Sequence, residues 1–387
     1  MVHRRAVSLE FFATCAPGLE PVLHGEAKAL KLSQVERQVG GVRFTGTLED
    51  AWRANLRLRT AVRVLLRVAR FEARDSDALY AGAAAVDWSP FLRPEGTFVV
   101  DARSKESALD HTLFVEQRVK DAVADAFREK HGVRPSVSKE APGLGIHVHL
   151  FRDRCTLLAD TSGESLHKRG WRRFQGRAPL AETLAAAIVL LAEWDGRAPL
   201  LDPFCGSGTI LVEAALIAGR IAPGLFRERF AFEGWPGHDA ARWRALKDAA
   251  RREAAGGVPA KLVLRGWDAD PEAVAGAREN AAAAGLEGRI VVEPGDARSF
   301  APKRGWNALV ATNPPYGERV GGESRDLESL YRDFGAALRE HGGGYRFAIL
   351  SGGSPALDAA LGLASEKTVA LLNGAIECRL LLGEVPR

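Results

Sequence analysis

From about residue 181 to its end, the chain alternates short apolar runs with helical stretches, and this alternation constrains the fold more than any other feature. PLAETLAAAIVLLAEW has helical periodicity, APLLDPF is a short buried strand, and GTILVEAALIAG is helical again. The order repeats through KLVLRGWD, DPEAVAGARENAAAAG, GRIVVEPGD, NALVATNPPYG and YRDFGAALREH, and YRFAILSGG, KTVALLNG and AIECRLLLGE add three strands. Strands joined through helices pair in parallel and carry helices on both faces. The expected architecture is therefore α/β, a Rossmann-like domain with a seven-stranded, mostly parallel sheet. Sheets of this kind bind ligands beyond the carboxyl ends of their strands, so the strand tips are where function is sought.

Three successive tips carry an acid. The first opens Asp202-Pro203-Phe204-Cys205-Gly206-Ser207-Gly208-Thr209, between a strand and a helix. Gly206 and Gly208 permit a tight turn that brings a ligand against backbone amides, and the following helix N-terminus favours negative charge. Asp202 can accept from an ammonium or a hydroxyl. Asp268 ends the second strand, where a ribose would present its hydroxyls. Asp296, after Gly295, can accept from an adenine amino group. Neither GxxxxGK[ST] nor GxGxxG occurs, which excludes a P-loop. The three acids suit an adenosine whose far end points toward the glycine loop, in either a dinucleotide or S-adenosyl-L-methionine.

The fourth tip is Asn313-Pro314-Pro315-Tyr316. Two prolines place stiff, non-donor backbone beside the pocket. The Asn313 amide and the Pro314 carbonyl can both accept from an NH2 group, and Tyr316 can stack on the base that bears it. An amine attacking a methyl sulfonium needs no prior deprotonation, so positioning and electrostatics suffice and no carboxylate base is required. A dehydrogenase has no use for this tetrapeptide.

The front half is different. Residues 1–180 hold 29 Lys+Arg against 22 Asp+Glu, whereas the remainder holds 24 against 27. A basic module joined to a mildly acidic one suits a polyanion grip attached to a catalytic domain. The pattern suggests small α/β units: GTFVVDARS as a strand, HTLFVEQRVKDAVADAFREKHG as an amphipathic helix, and two strands meeting at Arg152-Asp153-Arg154. ALYAGAAAVDWSPFL is expected to be a helix ending near Pro94. Between the halves, ESLHKRGWRRFQGRAPL carries Lys168, Arg169, Arg172, Arg173 and Arg177 with Trp171 and Phe174 among them, and has no acid from Ser165 onward. Interleaved basic and aromatic side chains suit phosphate contact and base stacking, so Lys168, Arg169, Trp171, Arg172, Arg173 and Arg177 are the expected RNA contacts.

DPFCGSGT paired with NPPYG resembles the class I amino-methyltransferases that act on adenine N6 or guanine N2. The longer strings DTSGESLHKRGWR, RAPLAETLAAAI, DPFCGSGTILVEAA and TNPPYGER are similar to those of THUMP-domain RNA methyltransferases, above all the bacterial 23S rRNA guanine-N2 methyltransferase family in single-module form. That resemblance implies a ferredoxin-like region over 1–60, a THUMP domain over 61–163, a basic-aromatic linker over 164–180 and a class I methyltransferase domain over 181–387. It implies S-adenosyl-L-methionine as cofactor. Asp202, Gly206 and Gly208 would lie along the methionine part, with Phe204, Cys205, Ser207 and Thr209 also in the cofactor site, Asp268 at the ribose and Asp296 at the adenine. Asn313, Pro314, Pro315 and Tyr316 would form the amine site, with Asn313 also touching the cofactor. The implied product is N2-methylguanosine in 23S rRNA or a precursor ribosomal particle. Relatives fused to a 7-methylguanosine methyltransferase exist, and a chain of 387 residues is expected to carry the N2 activity alone.

The alternatives are a tRNA guanine-N2 methyltransferase, a DNA amino-methyltransferase, and a non-catalytic RNA-binding or assembly factor. Base choice and the part played by the 220–260 excursion, a candidate wall of the base site, stay open on sequence. Four isolated cysteines read as small buried hydrophobes in a reducing compartment, giving an expected cytoplasmic location and no metal site. The expectation includes no membrane span and no obligate protein partner.

Overall fold

The computed structural model describes residues 8–140, 142–176, 179–316 and 324–387. The described residues fall into two compact units: those within 1–15, 24–166 and 227–248 form the first, and those within 16–23, 167–226 and 249–387 the second.

The strands of the first unit are β1 (Leu9–Thr14), β2 (Ser33–Gln38), β3 (Gly41–Gly46), β4 (Arg63–Glu72), β5 (Thr97–Lys105), β6 (Ser136–Val137), β7 (Leu144–Phe151) and β8 (Arg154–Asp160). Helices α1 (Glu20–Ala29), α2 (Leu48–Arg57), α3 (Ser76–Ala84) and α4 (Thr112–His131) interrupt them. All eight strands join one sheet in the order β2-β3-β1-β4-β8-β7-β5-β6. β4 pairs with β1 on one side and β8 on the other, so the two small units suggested by the sequence share one sheet. β7 and β8 meet at Arg152 and Asp153, both at positive φ (50° and 59°), a turn whose twist matches that of the strands it joins. Their alternate residues Ile146, Val148, Leu150, Cys155 and Leu157 are buried, together with Val119, Val123 and Phe127 of α4. Helix α3 stops at Ala84, ten residues before the expected Pro94. The Trp88 indole donates to the Ala83 carbonyl at 3.0 Å and closes the helix end.

In the second unit, β9 (Leu200–Asp202), β10 (Leu264–Asp268), β11 (Val291–Pro294), β12 (Leu309–Thr312), β13 (Arg346–Ser351), β14 (Lys367–Asn373) and β15 (Ile376–Glu384) form the second sheet. Its helices are α5 (Glu182–Leu191), α6 (Thr209–Ala218), α7 (Ala240–Glu253), whose first turns belong to the first unit, α8 (Pro271–Ala283), α9 (Ser324–His341) and α10 (Pro355–Leu361). The order is β11-β10-β9-β12-β13-β15-β14, with only β15 antiparallel to its neighbours. β9 and β12 pair in parallel, but the order in which successive strands are added reverses between them, and the crevice at such a switch point is where this fold binds ligands.

The excursion over 220–260 is built of two 3₁₀ turns, Pro223–Phe226 and Ala231–Gly234, then α7 and a third 3₁₀ turn, Ala254–Gly256. Its 227–248 stretch packs inside the first unit, where Phe232 stacks on Trp52 at 5.5 Å and Trp243 meets Phe232 edge-on at 5.0 Å. Burial of these aromatic rings accounts for its place.

Candidate functional site

At the tips of β9, β10, β11 and β12, the second unit encloses a cavity of about 770 Å³. Asp202 ends β9 with 1% of its surface exposed. Its Oδ1 accepts from the Thr312 hydroxyl at 2.6 Å and from the Phe204 amide at 3.2 Å, tying β9 to β12. Burial pushes this carboxyl up to about 7, against the lowering effect of those two bonds. The loop that follows is shaped by Gly206 and Gly208, at φ 51° and 75°; Gly208 also caps α6 and lies against Ala277. Side chains adopt that backbone region only at a cost, which is why the motif needs glycine there.

Asp268 supports the loop directly. Its Oδ2 accepts from the Gly206 amide and its Oδ1 from the Asp270 amide, each at 2.9 Å. The Cys205 amide donates to the Trp267 carbonyl at 2.9 Å. The Cys205 side chain is 6% exposed, and burial holds its thiol well above the ordinary range, so it packs as a small hydrophobe and is no nucleophile. The Phe204 ring packs edge-on against Phe334 at 5.1 Å. Gly295 is required because a Cβ there would lie 2.8 Å from the Trp267 ring. Asp296 accepts from Arg298, amide and guanidinium, and that bonding holds its carboxyl below the usual range.

On β12's tip, Asn313 Oδ1 is buried and has no hydrogen-bond partner among the described residues. Such an acceptor costs folding free energy unless a ligand supplies the donor. The rest of the tetrapeptide is braced from outside. The Tyr331 hydroxyl donates to the Pro315 carbonyl at 3.2 Å, and the Tyr316 hydroxyl accepts from Asn373 Nδ2 at 2.9 Å. The Tyr316 ring lies so close to Gly352 that a Cβ there would approach it to 2.6 Å.

The linker reading needs correction. Arg169 and Glu213 form an ion pair at 3.2 Å with side chains 2% and 0% exposed, and Trp171 is 1% exposed, so neither Arg169 nor Trp171 is offered to RNA. Arg172 is a strut: its guanidinium donates to Glu182 at 2.7 Å, to the Leu180 carbonyl at 2.9 Å, and to the Ser207 and Thr209 hydroxyls at 3.0 Å each. The Arg172 bonds connect the linker to the glycine loop. Lys168 and Arg173 are exposed, and Arg177 lies outside the described residues. Two further residues complete this side, of which the sequence marked only Phe174, as a linker aromatic, and gave no signal for Asn280. Asn280, fully buried on α8, accepts from the Arg173 and Phe174 amides at 2.7 and 2.9 Å and donates to the Phe174 and Ser207 carbonyls at 2.9 and 3.0 Å. Phe174 itself lines the cavity, seated on Gly276, where a Cβ would lie 2.0 Å from its ring.

No cluster of three or more His, Cys, Asp or Glu able to hold a metal occurs among the described residues, and no helix among them is long and apolar enough to cross a membrane.

Comparison with known proteins adds to this geometry. Residues 169–381 match the RMKL-like methyltransferase domain, 10–65 the RlmL ferredoxin-like domain and 73–160 the THUMP domain. The chain is 45% identical over 383 residues to a ribosomal RNA large subunit methyltransferase K/L of Methylococcus capsulatus, covering 97% of this chain and 51% of that protein. It spans about half the length of the curated relatives it matches. Among solved structures it is similar to SMU.472, described as a putative methyltransferase and complexed with SAH, with a TM-score of 0.89, 32% identity, and coverage of 98% of this chain and 99% of that one. A protein described as a predicted N6-adenine-specific DNA methylase from Listeria monocytogenes superposes with a TM-score of 0.87 at 32% identity, covering 98% and 97% of the two chains.

Proposed function

The chain belongs to the RMKL-like methyltransferase family, and from that premise we propose that it transfers the methyl group of S-adenosylmethionine to the N2 amine of a guanine in RNA, with large-subunit ribosomal RNA as substrate. The observation that carries this reading is the buried, unpartnered oxygen of Asn313 at the tip of β12. When bound, the cofactor supplies a methyl on a sulfonium and leaves as a neutral thioether. Asp202 and the Gly206–Gly208 loop hold its methionine end, Asp268 its ribose and Asp296 its adenine. Asn313 Oδ1 and the Pro314 carbonyl accept hydrogen bonds from the two N–H groups of the amine. This aims the nitrogen lone pair at the methyl and stabilises the positive charge that the nitrogen acquires, after which a proton passes to water. The experiment is transfer of labelled methyl to fractionated RNA from a host lacking the enzyme. Label in large-subunit rRNA supports the proposal, and label confined to tRNA moves the substrate.

Asp202 gives this reading a pH signature. In the cofactor-free protein its carboxyl titrates near 7, raised by burial. An ammonium placed against it favours the ionised form, so binding below that pH must release a proton, and affinity rises with pH up to about 7 and then levels. Calorimetry at about pH 6 in buffers of different ionisation enthalpy should show a release approaching one proton. Asp202→Asn should abolish it; an undiminished release would place the titrating group elsewhere.

The RNA partner is supported by the first unit. On the open face of its sheet, register aligns Glu72, Arg154, Phe151 and Lys105 in one row across β4, β8, β7 and β5, and Arg70, Thr156, His149 and Arg103 in the next. Arg70, Arg103, Lys105 and Arg154 are exposed and have no carboxylate partner among the described residues. Phe151 is 38% exposed beside them, with the Arg152 guanidinium 5.0 Å from its ring. Phosphate contact by such cations is sequence-independent and salt-sensitive. Arg70→Glu, Arg103→Glu and Arg154→Glu together should weaken RNA binding by roughly 10–100-fold and flatten its salt dependence. Cofactor affinity should not change. Unaltered RNA binding would move the contact surface to Lys168 and Arg173.

A further inference from the structure

Asn313 and Pro314 cannot choose between purines, because adenine N6 and guanine N2 present the same amino group. The ring atom beside the amine differs: N1 of guanine carries a hydrogen, whereas N1 of adenine is an acceptor. We propose that Asn373, at the end of β14, selects the base by accepting a hydrogen bond from guanine N1–H through its side-chain oxygen; this rests on the guanine-N2 reading and names the residue that enforces it.

Asn373 lines the same cavity as Asn313, with Gly374 and Ile376 of the turn into β15. Its two amide ends are divided. The nitrogen donates to the Tyr316 hydroxyl at 2.9 Å, and the oxygen has no partner among the described residues. The Tyr316 oxygen is approached on another side by Cys378 Sγ at 3.5 Å. With its nitrogen spent on Tyr316, Asn373 has an acceptor left, and an acceptor suits guanine N1–H and opposes the lone pair of adenine N1. The tight turn at Gly374, φ 65°, and the antiparallel pairing of β14 with β15 fix the residue. The same side chain therefore holds the stacking ring and reads the edge of the base stacked on it. A site built to pair a donor rejects an analogue lacking that donor because its own polar group is then left unpaired. Among the other acids lining the cavity, Asp326 in the first turn of α9 stands apart from the cofactor-binding strand tips, and it is exposed.

The test uses an rRNA fragment bearing either guanine or 2-aminopurine at the methylated nucleotide. 2-Aminopurine keeps the exocyclic amine and lacks the hydrogen on N1. The wild-type enzyme should prefer guanine by about tenfold or more in kcat/KM. Asn373→Ala should bring that ratio close to one with cofactor affinity unchanged, and Asn373→Asp, which keeps the oxygen, should retain the preference. Calorimetric cofactor binding verifies that each variant is folded. Three results would overturn the proposal: no preference in the wild type, an unchanged ratio in Asn373→Ala with both rates lowered alike, or collapse of the ratio in Asp326→Asn instead. The first leaves guanine methylation standing. Methylation of adenine by the wild type would remove the guanine reading and this inference together.

Discussion

Asn313→Ala is expected to bind S-adenosylmethionine within a few-fold of wild-type affinity and to lose about 10²–10³-fold in kcat, the scale seen when one preorganised polar group is removed from a reacting centre. The asymmetry follows from where the side chain sits. Asn313 Oδ1 makes no hydrogen bond among the described residues, so its removal strips no support from the cofactor loop, which is held by Asp268, Arg172 and Asn280. It removes an acceptor that becomes useful only when the amine takes on positive charge. The oxygen is also an uncompensated buried acceptor, so the variant should be no less stable to heat and could gain stability. Calorimetry with the cofactor and single-turnover methyl transfer separate the two effects. A parallel loss of binding and turnover would show that Asn313 holds the cofactor and not the amine.

The second large effect is on stability. Arg169→Ala should destabilise the second unit by about 3–5 kcal/mol, because it removes the guanidinium that faces the buried Glu213 carboxylate. Replacing both members of the pair with apolar residues of similar volume should cost far less, since no charge is then stranded. Thermal unfolding of the single and double variants measures the difference. If Arg169→Ala unfolds like the wild type and only its RNA affinity falls, the residue belongs to an RNA surface, as its neighbours in sequence suggested, and the pair with Glu213 contributes little to stability.

The linker shows where sequence reading stops. Basic residues interleaved with aromatics look like a phosphate grip, and composition has no means of separating that from a strut. The partners that settle it are remote: Arg172 bonds Ser207 and Thr209 in the glycine loop, and the backbone at Phe174 is clamped by Asn280 on α8. No local periodicity encodes such contacts. The 227–248 stretch was opaque for the same reason, since its aromatic side chains meet Trp52 almost two hundred positions earlier. The strand tips were legible because their requirements are local. Positive φ at Gly206 and Gly208 demands glycine within a few residues of a strand end, and an acid at a strand tip announces itself by position. Alternation of strands and helices likewise gave the second sheet. It did not show that β4 joins the ferredoxin-like and THUMP regions in one sheet, because strand pairing across a chain is not written in the period of any one strand.

The measurement that tests the central claim most directly is the identity of the methylated nucleoside. RNA from a host lacking the enzyme is treated with the protein and labelled S-adenosylmethionine, digested, and resolved by mass. The account predicts label in N2-methylguanosine and its loss with Asn313→Ala. Label in N6-methyladenosine, or tight cofactor binding with no labelled nucleoside in any RNA, would contradict it.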